Sequence, residues 1–250
     1  MRKRNGLADK NFRRFADDRR VLYLRRDLAA QADAVFSAIG QLAAPAAQAS
    51  RADGLGNRGS GFRVTIDPSL ELFVRYARRG GLIRFLISDW YCGSGARPLH
   101  ELAVAAEALR RGIPVAEPIG AIVEWVAPMI YRGVFLTRAL TGMTLWQFVQ
   151  ADDDPLVRMH VAGQVRQTIN SAHEKGLFHA DLNLHNIFIS SANESFAIML
   201  LDLDKARILI GALPPGLRLR NLARLRRSIR KLDPSGHYFD PPMIAVLTED

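Results

Sequence analysis

The stretch HADLNLHNIFI, His179 to Ile189, sets an aspartate and an asparagine five positions apart, just ahead of an apolar run. A second carboxylate, Asp202, closes the next apolar run, FAIMLLDLD. If the two runs pair as a hairpin, the start of one meets the end of the other. Asn186 then comes beside Asp202, with Asp181 on the loop just before. A carboxylate and an amide oxygen are hard donors of the kind Mg²⁺ takes. A further carboxylate nearby can orient a hydroxyl and accept its proton. This is the minimal equipment for phosphoryl transfer, which depends on positioning and charge neutralisation.

The elements that must hold these groups are legible in outline. DPLVRMHVAGQVRQTINSAHEKG has Asp154 as N-cap, Pro155 at the first helical position and Gly176 past the end. Its Val157, Val161, Val165, Ile169 stripe predicts a buried face. TLWQFV opens a helix with a Thr144/Gln147 capping box. Further upstream, RVTI and LELFVRYA read as strands around a DPS turn. IGAIVEWV and GVFLTRAL add two more strand candidates. PLHELAVAAEALRRGIP is a helix with Leu99, Leu102, Ala106 and Leu109 as its apolar stripe, ended by Gly112 and Pro114. The order is a β-rich first half with one helix, then a helical second half with a small hairpin. The reading divides the chain into a basic, helical N-terminal extension (1–50), a β-rich lobe (51–141) and a mainly helical lobe (142–250).

The 250 residues suffice for one large domain or two lobes. The basic start lacks the apolar core of a secretory signal, and no apolar run approaches the ~20 residues that cross a bilayer. The single cysteine, Cys92, excludes an intrachain disulfide and reads as a packed hydrophobe. The net charge of +9 is concentrated near the N-terminus, in RYARRGGLIR and in RLRNLARLRRSIRK. Such clusters attract nucleic acid, anionic lipid or phosphorylated ligands, and charge alone does not choose between them.

His179-Ala180-Asp181 followed by Asn186 resembles the H-x-D-x-x-x-x-N catalytic loop of the protein-kinase-like fold, and Asp202-Leu203-Asp204 resembles its D-F-G element. HADLNLHNIFI with LLDLDKAR is most similar to the lipopolysaccharide sugar kinases, and among them to the 3-deoxy-D-manno-octulosonic acid (Kdo) kinases. RYARRGGLIR, HELAVAAEALRRGIPVAEPIG and NLARLRRSIRK agree in the family's order, so the resemblance runs from Gly54 to Lys231. It implies an α+β, two-lobed protein-kinase-like fold that uses ATP and Mg²⁺.

The resemblance also implies roles. Asp181 is the expected catalytic base, and Asn186 and Asp202 the expected metal ligands. Arg75 stands where the fold usually has its phosphate-contacting lysine, with Glu101 as its helical partner. Gly54, Gly56 and Gly59 fit a phosphate-covering loop, and FLTRAL fits the segment that receives adenine. The chain departs from protein kinases at Arg75, at Asn183 where a lysine is common, and at Asp204 in place of the D-F-G glycine. Arginine is a planar fork, not a point charge. With no A-P-E segment, the substrate expected is a small molecule or glycolipid.

The implied reaction is phosphorylation of a Kdo hydroxyl, the 4-hydroxyl by family resemblance, on the Kdo-lipid A precursor. The chain is then expected peripherally at the cytoplasmic face of the bacterial inner membrane, with RGGLIRFLISDWY a segment able to rest at a lipid interface. No nucleic-acid partner is expected, because the basic clusters lack interleaved aromatics. The rivals are a heptose or other small-molecule kinase of the same fold, and a catalytically silent kinase-like module that binds nucleic acid or membrane.

Overall fold

Along RVLYLR, Leu22 and Leu24 are fully buried while Val21 and Tyr23 are only partly so. That is the two-residue period of a half-buried strand. The computed structural model describes residues 11–40, 61–76, 91–93, 96–192 and 195–249. Its packing divides into two units: the described residues up to Ala106 with Glu117–Ala139, and Glu107–Ala116 with Leu140 onward.

The first unit is built on an antiparallel sheet. Its strands are β1 (Phe12–Ala16), β2 (Arg20–Arg25), β3 (Gly61–Asp67), β4 (Leu70–Tyr76), β5 (Tyr91–Cys92), β6 (Pro118–Ala127) and β7 (Ile130–Arg138). The order is β1-β2-β6-β7-β4-β3, with β5 also pairing with β7. A 3₁₀ turn (Arg26–Gln31) leads into helix α1 (Ala32–Gly40). Leu22 and Leu24, Val35 and Ile39 of α1, Leu72 and Val74, Ile119 and Ile122, and Val134 and Leu136 form one buried cluster.

This corrects the expectation of a separate extension over residues 1–50. Within the described part, β1, β2 and α1 belong to the sheet and its core. β2 pairs with β6 from Arg20↔Glu124 to Leu24↔Gly120. Arginines at its two ends disguise a strand as part of a basic run. Glu117, just before β6, ties the ends of β2 and β7 together, accepting from Arg25 Nη1 and from Arg138 Nε at 2.5 Å. Burial pushes the Glu117 carboxyl up, but the two guanidiniums outweigh it and hold the group below its ordinary value.

Helix α2 (Ala96–Arg110) carries a second correction. Leu109 is 45% exposed, whereas Glu101, Leu102, Val104, Ala105 and Ala108 are buried. The buried face includes a carboxylate, which a search for an apolar stripe passes over.

In the second unit, β8 (Met143–Thr144) leads into α3 (Leu145–Ala151), whose capping box forms as expected. Helix α4 (Pro155–Glu174) starts at Asp154, whose carboxylate accepts from the Leu156 and Val157 amides. Gly176 follows at φ +84, where an added Cβ would run into the carbonyls of Leu209 and Gly211. Val161, Val165 and Ile169 are buried. Then come β9 (Leu177–Phe178), β10 (Ile187–Ala192), β11 (Ser195–Leu200), β12 (Arg207–Ile208), α5 (Pro215–Leu232) and α6 (Pro241–Thr248). Arg111 ties the Glu107–Ala116 segment to this unit, donating through Nη1 to Lys175 O at 2.9 Å and Leu209 O at 2.8 Å.

Candidate active site

The loop between β9 and β10 is pinned by its leucines. Leu182 and Leu184 are buried, while Asp181, Asn183, His185 and Asn186 keep partial exposure. The Asp181 carbonyl accepts from Asn183 Nδ2 and from Asn186 Nδ2, each at 2.9 Å, and the chain closes around that one oxygen. Asn183 Oδ1 accepts the His185 amide at 2.9 Å, so both ends of the Asn183 amide serve the loop.

The expected hairpin forms. β10 and β11 pair from Ile187↔Leu200 to Ala192↔Ser195, and the Leu201 amide donates to Asn186 O at 2.9 Å. Asn186 and Leu201 therefore face each other, with Asp202 one residue beyond. Asp202 has φ +60, a conformation that aspartate tolerates better than most residues. Backbone held in that region concentrates at functional sites.

The donor set fits a hard cation. A carbonyl only accepts, so the Asn186 nitrogen must face Asp181 O, and Oδ1 is the atom left for an ion. Among the described residues no group of three His, Cys, Asp or Glu side chains gathers as a metal site. Asn186 Oδ1 and Asp202 are the two hard oxygen donors that this end of the hairpin would offer a cation such as Mg²⁺.

His179 anchors the N-terminal end of the loop and is buried. Burial pushes its imidazole down, against its bond to Leu201 and the charges of Asp202 and Asp181. The neutral ring donates Nε2–H to Leu201 O at 2.8 Å. His179 thus shapes the loop through its hydrogen bonds. Its backbone is clasped by Asn221 of α5. The His179 amide donates to Asn221 Oδ1 at 3.2 Å, and Asn221 Nδ2 donates to His179 O at 2.7 Å. Asn221 Oδ1 also accepts from His173 Nε2 at 3.2 Å.

Helix α5 contributes twice more. Ser228 Oγ accepts the Leu184 amide at 3.2 Å. Arg224 reaches Asp181, placing Nε at 2.9 Å and Nη2 on the same oxygen, Oδ1. Burial pushes the Asp181 carboxyl up, but the Arg224 bond and charge, with Asn183, bring it below its ordinary value. Asn221, Arg224 and Ser228 lie three and seven positions along one helix face. None was singled out from sequence, where NLARLRRSIRK stands out only for its charge. The three-then-four spacing of polar residues beside buried Leu222, Leu225 and Ile229 is the signal that was there to read.

Arg75 and Glu101 also meet. Arg75 Nη2 donates to Glu101 Oε1, and its guanidinium lies 5.9 Å from the centre of the Phe135 ring. Phe135 is the residue opposite Arg75 in the β4–β7 register. Gly54, Gly56 and Gly59 lie outside the described residues, as does most of RGGLIRFLISDWY.

A model of the lipopolysaccharide kinase (Kdo/WaaP) family matches residues 46–238. The chain is similar to the 3-deoxy-D-manno-octulosonic acid kinase of Xylella fastidiosa (strain 9a5c), 31% identical over 192 residues, covering 75% of this chain and 74% of that protein. It is also similar to the protein of the same name from Pasteurella multocida (strain Pm70), 30% identical over 162 residues, covering 63% and 65%. Among solved structures it is similar to WaaP in complex with acyl carrier protein, with TM-score 0.51, 14% identity and coverage of 75% and 73%. A Rio2 kinase from Chaetomium thermophilum gives TM-score 0.50, 14% identity and coverage of 97% and 73%. At that identity the likeness is one of fold, the kinase-like α+β fold expected from sequence.

Proposed function

The chain belongs to the lipopolysaccharide kinase (Kdo/WaaP) family, and from that membership we propose that it phosphorylates the Kdo residue of Kdo-lipid A precursor in inner-core assembly. It is a phosphotransferase that uses ATP and acts on a hydroxyl. One observation carries the reading at the level of chemistry: Asp181, Asn186 and Asp202 gather around the open end of the β10–β11 hairpin, inside the matched region.

Asp181 is ionised at neutral pH, since its carboxyl lies below the ordinary range. Arg224 engages Oδ1 alone, leaving Oδ2 outside the fork for the acceptor hydroxyl. There the carboxylate orients the hydroxyl and takes its proton as the hydroxyl oxygen bonds to the γ-phosphorus of ATP and the bond from that phosphorus to the departing ADP oxygen breaks. Asn186 Oδ1 and Asp202 would hold Mg²⁺, and the ion would neutralise charge on the nucleotide phosphates. Arg75, held by Glu101, serves the phosphates, and Gly54, Gly56 and Gly59 cover them; both roles are carried over from the resemblance.

The proposal includes the 4-hydroxyl as the position modified and the cytoplasmic face of the inner membrane as the place of work. Arg220, Arg226, Arg227, Arg230 and Lys231 are exposed on α5, which supports approach to an anionic surface. No helix among the described residues is long and apolar enough to cross a membrane. The test is incubation of purified protein with ATP, Mg²⁺ and Kdo-lipid A precursor. Mass spectrometry is expected to show one added phosphate, and NMR to place it on the Kdo 4-position. An unchanged acceptor with ATP intact overturns the reading, and phosphate on a heptose-bearing acceptor alone replaces it with the heptose alternative.

A further inference from the structure

Arg224 spends only part of its guanidinium on Asp181. Nε and Nη2 both go to Oδ1, and Nη1 has no partner among the described residues. The Arg224 side chain is 44% exposed and that of Asp181 37%, so the pair stands open to solvent. The helix beneath it is fixed, because Asn221 and Ser228 dock the same face of α5 onto the loop through buried or half-buried bonds. A free guanidinium edge is thus held at a set place beside the oxygen that receives the acceptor hydroxyl.

A guanidinium edge is built to read a planar anion, and a carboxylate fits it with two parallel N–H donors. Reach alone does not demand this contact, but the chemistry of the acceptor supplies its partner. The proposed acceptor is a sugar acid, with a carboxylate on the same residue as the reactive hydroxyl. We propose that Arg224 is the specificity-determining residue for this acceptor, binding the carboxylate of the sugar acid while it holds Asp181. The inference rests on the proposed function and deepens it. Because Nε and Nη2 stay on Oδ1, the remaining edge can meet the substrate with the loop still held.

The test pairs a protein change with a substrate change. Wild type, Arg224→Ala and Arg224→Lys are assayed on the Kdo-bearing acceptor and on its carboxyl methyl ester, with thermal midpoints as a control of folding. Esterification is expected to raise the wild-type acceptor KM by roughly 10- to 100-fold. Arg224→Ala is expected to raise it to a similar degree on the acid, with no further loss on the ester. Arg224→Lys should recover only part, because an ammonium lacks the fork. If the two losses multiply, or if Arg224→Ala lowers kcat and leaves the acceptor KM unchanged, Arg224 only positions Asp181 and the proposal fails. Failure of the wild type to phosphorylate the acid acceptor at all is a different result, and it removes the proposed function itself.

Discussion

Two arginine–carboxylate pairs sit at named positions of this fold, and they are built for opposite purposes. In Arg75–Glu101 the glutamate is 4% exposed and the arginine lies against an aromatic ring. In Arg224–Asp181 both side chains are more than a third exposed. A buried carboxylate has given up its water and depends on its cation, so losing either partner is costly. An exposed pair is in competition with water and contributes little to stability. The first pair is a fixed strut, and the second stands within reach of a ligand from solvent.

The comparison breaks most sharply at Asp181. Asp181→Ala should lower phosphoryl transfer by about 10²- to 10⁴-fold with the thermal midpoint unchanged, measured by ATP turnover and calorimetry. A matching loss of stability would move Asp181 into the structural class. Glu101→Ala should do the reverse of that pattern on the stability axis, costing about 3 kcal/mol in urea titrations, because Arg75 loses a buried counter-charge. Asn221→Ala strips the partner from the His179 amide and carbonyl and from His173. About 2 kcal/mol of stability should go with it, together with a drop in activity, since α5 then loses its hold on the His179 backbone.

Arg224→Gln, like Asp181→Ala, should leave stability within about 1 kcal/mol. Its signature is in pH. Arg224 helps hold the Asp181 carboxyl low against burial. Without that charge, burial acts with less opposition, the pKa rises, and the base stays protonated to higher pH. The acid limb of the kcat profile should therefore move upward. A group whose pKa is depressed by folding contributes stability above its unfolded value and loses it as pH falls through the folded one. The acid end of the stability curve should accordingly flatten in the same variant.

How much of this was legible beforehand depended on the range of the contact. Asp181, Asn186 and Asp202 could be placed together because a hairpin converts sequence distance into register. The caps at Thr144, Asp154 and Gly176 could be read because they act within one helical turn. Arg75 and Glu101 were reachable through resemblance. The hold of α5 on the loop was not, because Asn221 meets His179 across 42 positions and no local period encodes that meeting. β2 was missed for another reason: its arginines dominate the charge count, while its strand signal rests on two buried leucines. In α2 the expected stripe failed where a paired glutamate occupies the buried face.

The Asn186 amide carries a consequence of its own. Its nitrogen donates to the Asp181 carbonyl, which leaves the oxygen for a cation. An aspartate at the same place has almost the same shape and would be the stronger ligand. It has no proton to give, however, and would set a negative oxygen against a carbonyl. Asn186→Asp therefore exchanges loop geometry for affinity toward the ion. If the proposed ion binds here, the position calls for a side chain with two unlike ends, one for the backbone and one for the metal, and among the common residues of that length asparagine alone has both.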